Sequence, residues 1–113
     1  MPCVAWVLLF AAAVFEVVWA IALKKSDGFT QFGPTVVFAV GLGLSMVLLA
    51  FALRDLPVGT AYAVWTGTGA VGAALAGIAL LGEAATPGRL AAIAMIAAGI
   101  VWLALGEGAQ ARA

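Results

Sequence analysis

The sequence contains no histidine and a single cysteine, Cys3, among 113 residues. One Cys cannot close an internal disulfide, and without His it cannot assemble a zinc site. The missing His also excludes hydrolysis by a Ser/His or Cys/His arrangement. No metal, no cofactor and no enzymatic activity are therefore expected. Charge is scarce too: Asp, Glu, Lys and Arg make up 9% of the chain and cancel to a net charge of zero. A soluble domain usually carries about a quarter, and a nucleic-acid-binding one shows a basic face. Neither pattern is present. Hydrophobic residues make up 66% of the chain, so no polar shell can be built around a core, and the lipid bilayer is the expected solvent.

Four apolar runs, at about 4–23, 32–53, 58–81 and 89–106, are separated by short polar connections. About 20 residues of helix cross a bilayer, and backbone groups in lipid must pair within their own segment. The expectation is an all-α membrane protein of four transmembrane helices, one domain over residues 1–113, multi-pass in the inner (plasma) membrane. Pro34, Pro57 and Pro87 stand where spans two, three and four begin, positions where a missing N–H does no harm. The first run ends in Ala20-Ile21-Ala22, which looks like a signal-cleavage site. However, no Lys or Arg precedes the run and Glu16 interrupts it, so it is expected to remain as the first span.

Short connections make neighbouring helices antiparallel. Arg54 and Arg112 then lie on the side of the N-terminus, and Lys24, Lys25 and Arg89 on the other. The positive-inside rule needs an excess to act on, and here the two sides nearly balance. Copies are expected to insert both ways up, the alternative being one orientation chosen by a slight bias. Four helices do not enclose a pathway, so a central cavity needs a second copy. Ala92 and Gly99, seven apart on the fourth span, form either a dimer seam of small residues or part of a general alanine filling.

Arg89 at the edge of the fourth run apart, Glu16 is the one charged residue within a span, and no Lys or Arg lies inside a span to pair with it. An unpaired carboxylate there costs several kcal/mol. Two states avoid that cost: the protonated acid, and the carboxylate with a cation bound from solution. Proton and cation then compete for one charge, which is what an exchanger requires. The alternative is an acid bonded to hydroxyls for packing specificity.

Around it, Trp19 follows by three residues on the same face. It can donate its indole N–H to the carboxylate, offer a π-face to a cation, or sit in an interfacial belt as Trp6 and Trp102 do. Ser45 is the one hydroxyl deep in the second span; it bonds either the acid or ligand, or its own helix four residues back. On the third span Tyr62 and Trp65 are one turn apart, with Thr66, Gly67 and Gly69 close by. Tyr62 can hold the carboxylate and Trp65 supplies a flat wall. Gly67 and Gly69 weaken the helix, as a conformational hinge or as sites of close packing. Asp27, Asp55, Glu83, Arg89 and Glu107 are solvated span ends with no chemistry attached.

Three segments, 15–24, 28–30 and 59–67, carry a family resemblance. The acid with Trp19 three later, Gly28-Phe29-Thr30, and the run Gly59-Thr60-Ala61-Tyr62-Ala63-Val64-Trp65-Thr66-Gly67 resemble the small multidrug resistance family in its guanidinium-exporter branch. The likeness extends over essentially the whole chain. The polyaromatic-drug branch usually lacks the Trp after its acid and has Ile where Thr60 stands. The resemblance implies an antiparallel homodimer with both copies of the acid in one cavity. It implies Glu16 as proton and substrate site, with Trp19, Ser45, Tyr62 and Trp65 as the surrounding shell. It further implies proton-coupled export of guanidinium ion and small substituted relatives. Ala92, where family members often carry Gly, is a departure that touches the dimer seam rather than the chemistry. Two other readings stand beside this one: a broad exporter of bulky aromatic cations, and a non-transporting membrane subunit.

Overall fold

The computed structural model describes residues 2–112, and the side chains of 3–106. It is built from four helices: α1 (Pro2–Lys25), α2 (Phe32–Ala52), α3 (Val58–Leu81) and α4 (Pro87–Arg112). All four are long and apolar enough to cross a membrane. The charged side chains Glu107 and Arg112, placed on the tail by the sequence, lie outside the described residues.

The helix ends follow local chemistry. α1 continues two residues past the expected end, through Lys24 and Lys25, cations that suit a helix C-terminus. α2 stops one residue early, with Leu53 as its cap. α4 begins at Pro87, two residues before the expected bound and at the proline that opens the span, because Thr86 accepts the Arg89 N–H at 3.2 Å. Thr as N-cap followed by Pro in the first helical position is a helix start. α4 also runs past 106 to Arg112, where a tail was expected.

The α1–α2 connection is tightly wound. Asp27, Gly28 and Phe29 all have positive φ, of 50°, 70° and 68°, a conformation that is costly for a bulky residue such as Phe. Ser26 holds it in place. Fully buried, it donates its hydroxyl to the Leu23 carbonyl at 2.7 Å and accepts the Phe29 N–H at 3.2 Å. Its carbonyl also takes the N–H groups of Thr30 and Gln31. The α3–α4 connection turns at Gly82, with φ 70°. There Glu83 and Arg89, expected as free solvated ends, form an ion pair, and Arg89 also donates to the Ala84 carbonyl at 3.2 Å.

α1 is the central helix. α2 and α3 pack against it, hardly touch each other, and leave α4 to pack against α3 alone. Small side chains allow the close approach: Ala5, Leu9, Ala12 and Ala13 of α1 meet Leu49 and Ala52 of α2 and Ala61, Val64 and Trp65 of α3. Outside this seam the surface is apolar, with Leu80, Met95 and Trp102 largely exposed, as suits a protein whose solvent is hydrocarbon. Trp6 differs from Trp102. It is half-buried, packs on the core and stacks on Phe10 at 6.0 Å. The chain measures 49 × 34 × 17 Å. A helix with its side chains is about 10–12 Å across, so the protomer is a slab too thin to surround a pathway.

Removing the Ser26 hydroxyl leaves the Phe29 N–H of this part-buried turn without its acceptor. Ser26→Ala is expected to lower stability by about 1–3 kcal/mol, read as a fall in the thermal unfolding midpoint in detergent.

Candidate functional site

The site grows from the contact between α1 and α3. Gly69 and Gly72 of α3 stand about a turn apart, and both are places where a Cβ would collide with α1. At Gly72 the obstacle is the Val17 side chain; at Gly69 it is the Glu16 carboxyl group. Glycine thus gives the acid its place against the backbone of α3. The Glu16 side chain is half-buried, and its Oε1 atom is fully buried without a hydrogen-bond partner among the described residues. Among the described residues no protein cation compensates it. The ion pair found among the described residues, Glu83 with Arg89, sits at the α3–α4 connection.

Trp19 lies one turn further along α1, wedged by α2. A Cβ on Gly41 would come within 3.1 Å of the Trp19 Cβ. The edge of Phe38, one turn before Gly41, meets the indole at 5.9 Å and 77°. Phe38 in turn touches Phe29 at 5.5 Å, so an aromatic row runs from the strained connection to the site. The Trp19 Nε1 is buried and unpartnered. It is therefore not donated to Glu16 in the protomer.

Ser45 bonds neither Glu16 nor its own helix. Its hydroxyl donates to the Ala12 carbonyl of α1 at 2.7 Å and accepts the Trp65 indole N–H of α3 at 3.0 Å. All three helices around the site are thereby tied through one buried hydroxyl. The Ala12 carbonyl stands four residues before Glu16, where the helix ladder directs the Glu16 N–H. The relay therefore fixes the turn that carries the acid.

Tyr62 and Trp65 share a face as expected, with ring centroids 5.5 Å apart and tilted by 50°. Trp65 is buried and Tyr62 is 55% exposed. No hydrogen bond joins Tyr62 to Glu16 among the described residues. Tyr62 and Gly69 are two turns apart, about 10 Å along α3. Two groups result: Glu16 with Trp19 and Gly69, and Ser45 with Trp65 and Tyr62. The turn from Ala12 to Glu16 connects them.

α3 is unbroken through Gly67 and Gly69. A Cβ on Gly67 would lie 2.9 Å from the Ile100 side chain of α4, so both glycines are sites of close approach. Ala92 and Gly99 face outward on α4, and nothing lies within 4 Å of a Cβ built on Gly99.

A family model, described as Small Multidrug Resistance protein, matches residues 4–96. The chain belongs to the small multidrug resistance family. The guanidinium exporter of Escherichia coli (strain K12) is 55% identical over 100 residues, covering 88% of this chain and 95% of that protein. Those of Citrobacter freundii and Salmonella typhimurium are 53% identical over the same share. This small multidrug resistance protein is thus a multi-pass protein of the inner membrane. Its relatives are named as transporters rather than enzymes.

Several residues at the site escaped the sequence. Phe38 is one of them, although Phe38, Gly41 and Ser45 follow one another at intervals of three and four residues on α2, a spacing that puts them on one face and could have exposed it. Gly72 repeats the small-residue spacing of Gly69. Thr68 has a buried hydroxyl with no partner, and nothing in the sequence separates it from Thr60 or Thr66.

The shared Ser45–Trp65 bond is expected to make the two residues energetically coupled. In a double-mutant cycle, Ser45→Ala and Trp65→Phe should show an interaction of about 0.5–3 kcal/mol in thermal or denaturant unfolding. Additive losses would mean the bond contributes nothing. Gly69→Ala should destabilise by about 1–3 kcal/mol through overpacking, whereas Gly43→Ala, with open space at its Cβ, should be silent in the same assay.

Proposed function

We propose that two copies of the chain, inserted in opposite orientations, form an antiporter that exports guanidinium ion in exchange for protons. Small substituted guanidinium and quaternary ammonium cations are its further substrates. The observation that carries this reading is the Glu16 carboxyl, lodged against Gly69 with a buried oxygen that no donor or cation among the described residues satisfies. Such a group holds a proton or a passenger cation, and binding one displaces the other.

Guanidinium suits the position. It is planar, permanently charged and rich in N–H donors that match a carboxylate two at a time. Relatives that are 53–55% identical are named guanidinium exporters. Trp19, Tyr62 and Trp65 supply flat aromatic surfaces that attract a cation through the ring face. Ser45 acts in this scheme mainly by holding Trp65 and the α1 turn, since its hydroxyl is already engaged on both sides.

A slab 17 Å thick leaves the acid's open side to be covered by a partner. Ala92 and Gly99, exposed on a helix that packs on α3 alone, are assigned to the seam between copies, where small residues allow close approach. The near-even charge of the two ends allows both insertions. Alternating exposure of the shared cavity to the two sides would be absorbed in α3 at Gly67 and Gly69. There the helix lacks side chains of its own, and the neighbours Ile100 and Glu16 press on it.

Proton competition gives the sign of the pH dependence. Guanidinium affinity of the purified dimer should rise as pH rises and level off once Glu16 has lost its proton. In Glu16→Gln, binding should fall at least tenfold and lose its pH dependence. Proteoliposomes with an acidic interior should accumulate guanidinium only with the wild-type protein. Transport of bulky aromatic dyes without guanidinium, or activity surviving in Glu16→Gln, would overturn the reading.

A further inference from the structure

A groove of about 540 Å³ opens on the outside of the bundle, where the N-terminal half of α2 and the C-terminal end of α3 diverge over α1. Val17, Val18 and Ile21 form its floor, Val37 and Leu80 its walls, and Lys25 stands at its end. Lys25 apart, the residues that line it are apolar. Val18, Val37 and Leu80 are 41%, 48% and 69% exposed, so the groove faces outward from the protomer. It belongs to neither of the two residue groups of the transport site.

The charges at this end of the molecule are unequally satisfied. Arg89 is engaged by Glu83. Among the described residues no carboxylate lies within 4 Å of Lys24 or Lys25, and Asp27, the remaining acid at this end, is exposed on the connection and pairs with neither. Lys25 is thus a cation without a protein counter-ion, placed where the apolar part of α1 ends. A Lys in that position lays its stem along apolar surface and holds its ammonium at the headgroup level.

The geometry points to a binding site for one anionic phospholipid, its acyl chain in the groove and its phosphate on Lys25. A hydrocarbon trough ending in an unpaired ammonium matches both halves of such a molecule. Basic pockets between transmembrane helices select acidic headgroups in this way. Val17 and Val18 adjoin Glu16 in sequence, so the bound chain lies against the same turn of α1 that carries the acid. The site does not depend on which cation is transported.

The test uses the full-length protein in non-ionic detergent, with phosphatidylglycerol and phosphatidylcholine of identical acyl chains in competition and bound lipid counted by native mass spectrometry. Wild type should prefer phosphatidylglycerol about fivefold. Lys25→Gln should bring the preference close to unity, while Lys24→Gln, outside the groove, should keep most of it. Ala76→Leu, or Val37→Phe should that variant not fold, narrows the groove and should reduce retention of both lipids. Inorganic phosphate should not compete. Equal retention of the two lipids by wild type, an unchanged preference in Lys25→Gln, or displacement by phosphate alone would overturn the proposal. So would efficient cross-linking between copies through Leu80→Cys in a Cys3→Ser background, which would show a second copy covering the groove.

Discussion

Holding a carboxyl group inside a membrane-spanning helix, with no protein cation beside it, demands that the surrounding helices be placed to within a fraction of a side chain. Glu16 has room only because residue 69 has no Cβ, and α3 comes that near only because α1 presents alanines along the shared seam. Ser45 then secures the geometry by bonding the carbonyl below the acid and the indole across from it. Gly41 lets α2 press on Trp19 in turn. Much of the packing of the three-helix core follows from keeping one acidic side chain in position. In hydrocarbon, packing and hydrogen bonds between helices must do this, since apolar surface gains nothing by leaving lipid for protein.

The spans were legible because a bilayer sets a length and forbids charge, and both leave plain marks in the chain. The ends were less so. Pro87 marks the start of the fourth span in the sequence, but the Thr86 side chain that caps α4 there shows only in its bond to the Arg89 N–H. The acid and its aromatic neighbours were equally visible, since a lone Glu between apolar runs has few structural uses. What could not be read was which partner each polar group takes. The Ser45 bond crosses to a backbone carbonyl, a group that every residue possesses, so no residue type at any spacing announces it. Gly67 and Gly69 look alike in the sequence, yet one faces Ile100 of α4 and the other Glu16 of α1. Only the relative rotation of packed helices separates them.

The helices divide the work. α1, α2 and α3 carry the acid, the indoles and the buried relay, whereas α4 touches α3 alone and keeps its small residues Ala92 and Gly99 turned outward. Membership of the small multidrug resistance family, with guanidinium exporters more than half identical to this chain, agrees with a core devoted to a small cation. In the aromatic row Phe29–Phe38–Trp19, Phe38 links two of the segments that carry the family resemblance. It joins a connection wound through three consecutive positive φ angles to the indole beside the acid, so the turn at the membrane surface and the site wall are parts of one packed unit.

The thinness of the molecule, 17 Å in its least dimension, reaches beyond geometry into cell physiology. Where two such slabs must meet before either can enclose a passenger, the number of working units at low expression grows with the square of the number of chains in the membrane. Halving synthesis then removes well over half of the output, because paired units fall with the square of the number of chains. On the pairing proposed above, output from a gene for so small a protein would answer steeply to the strength of its own promoter.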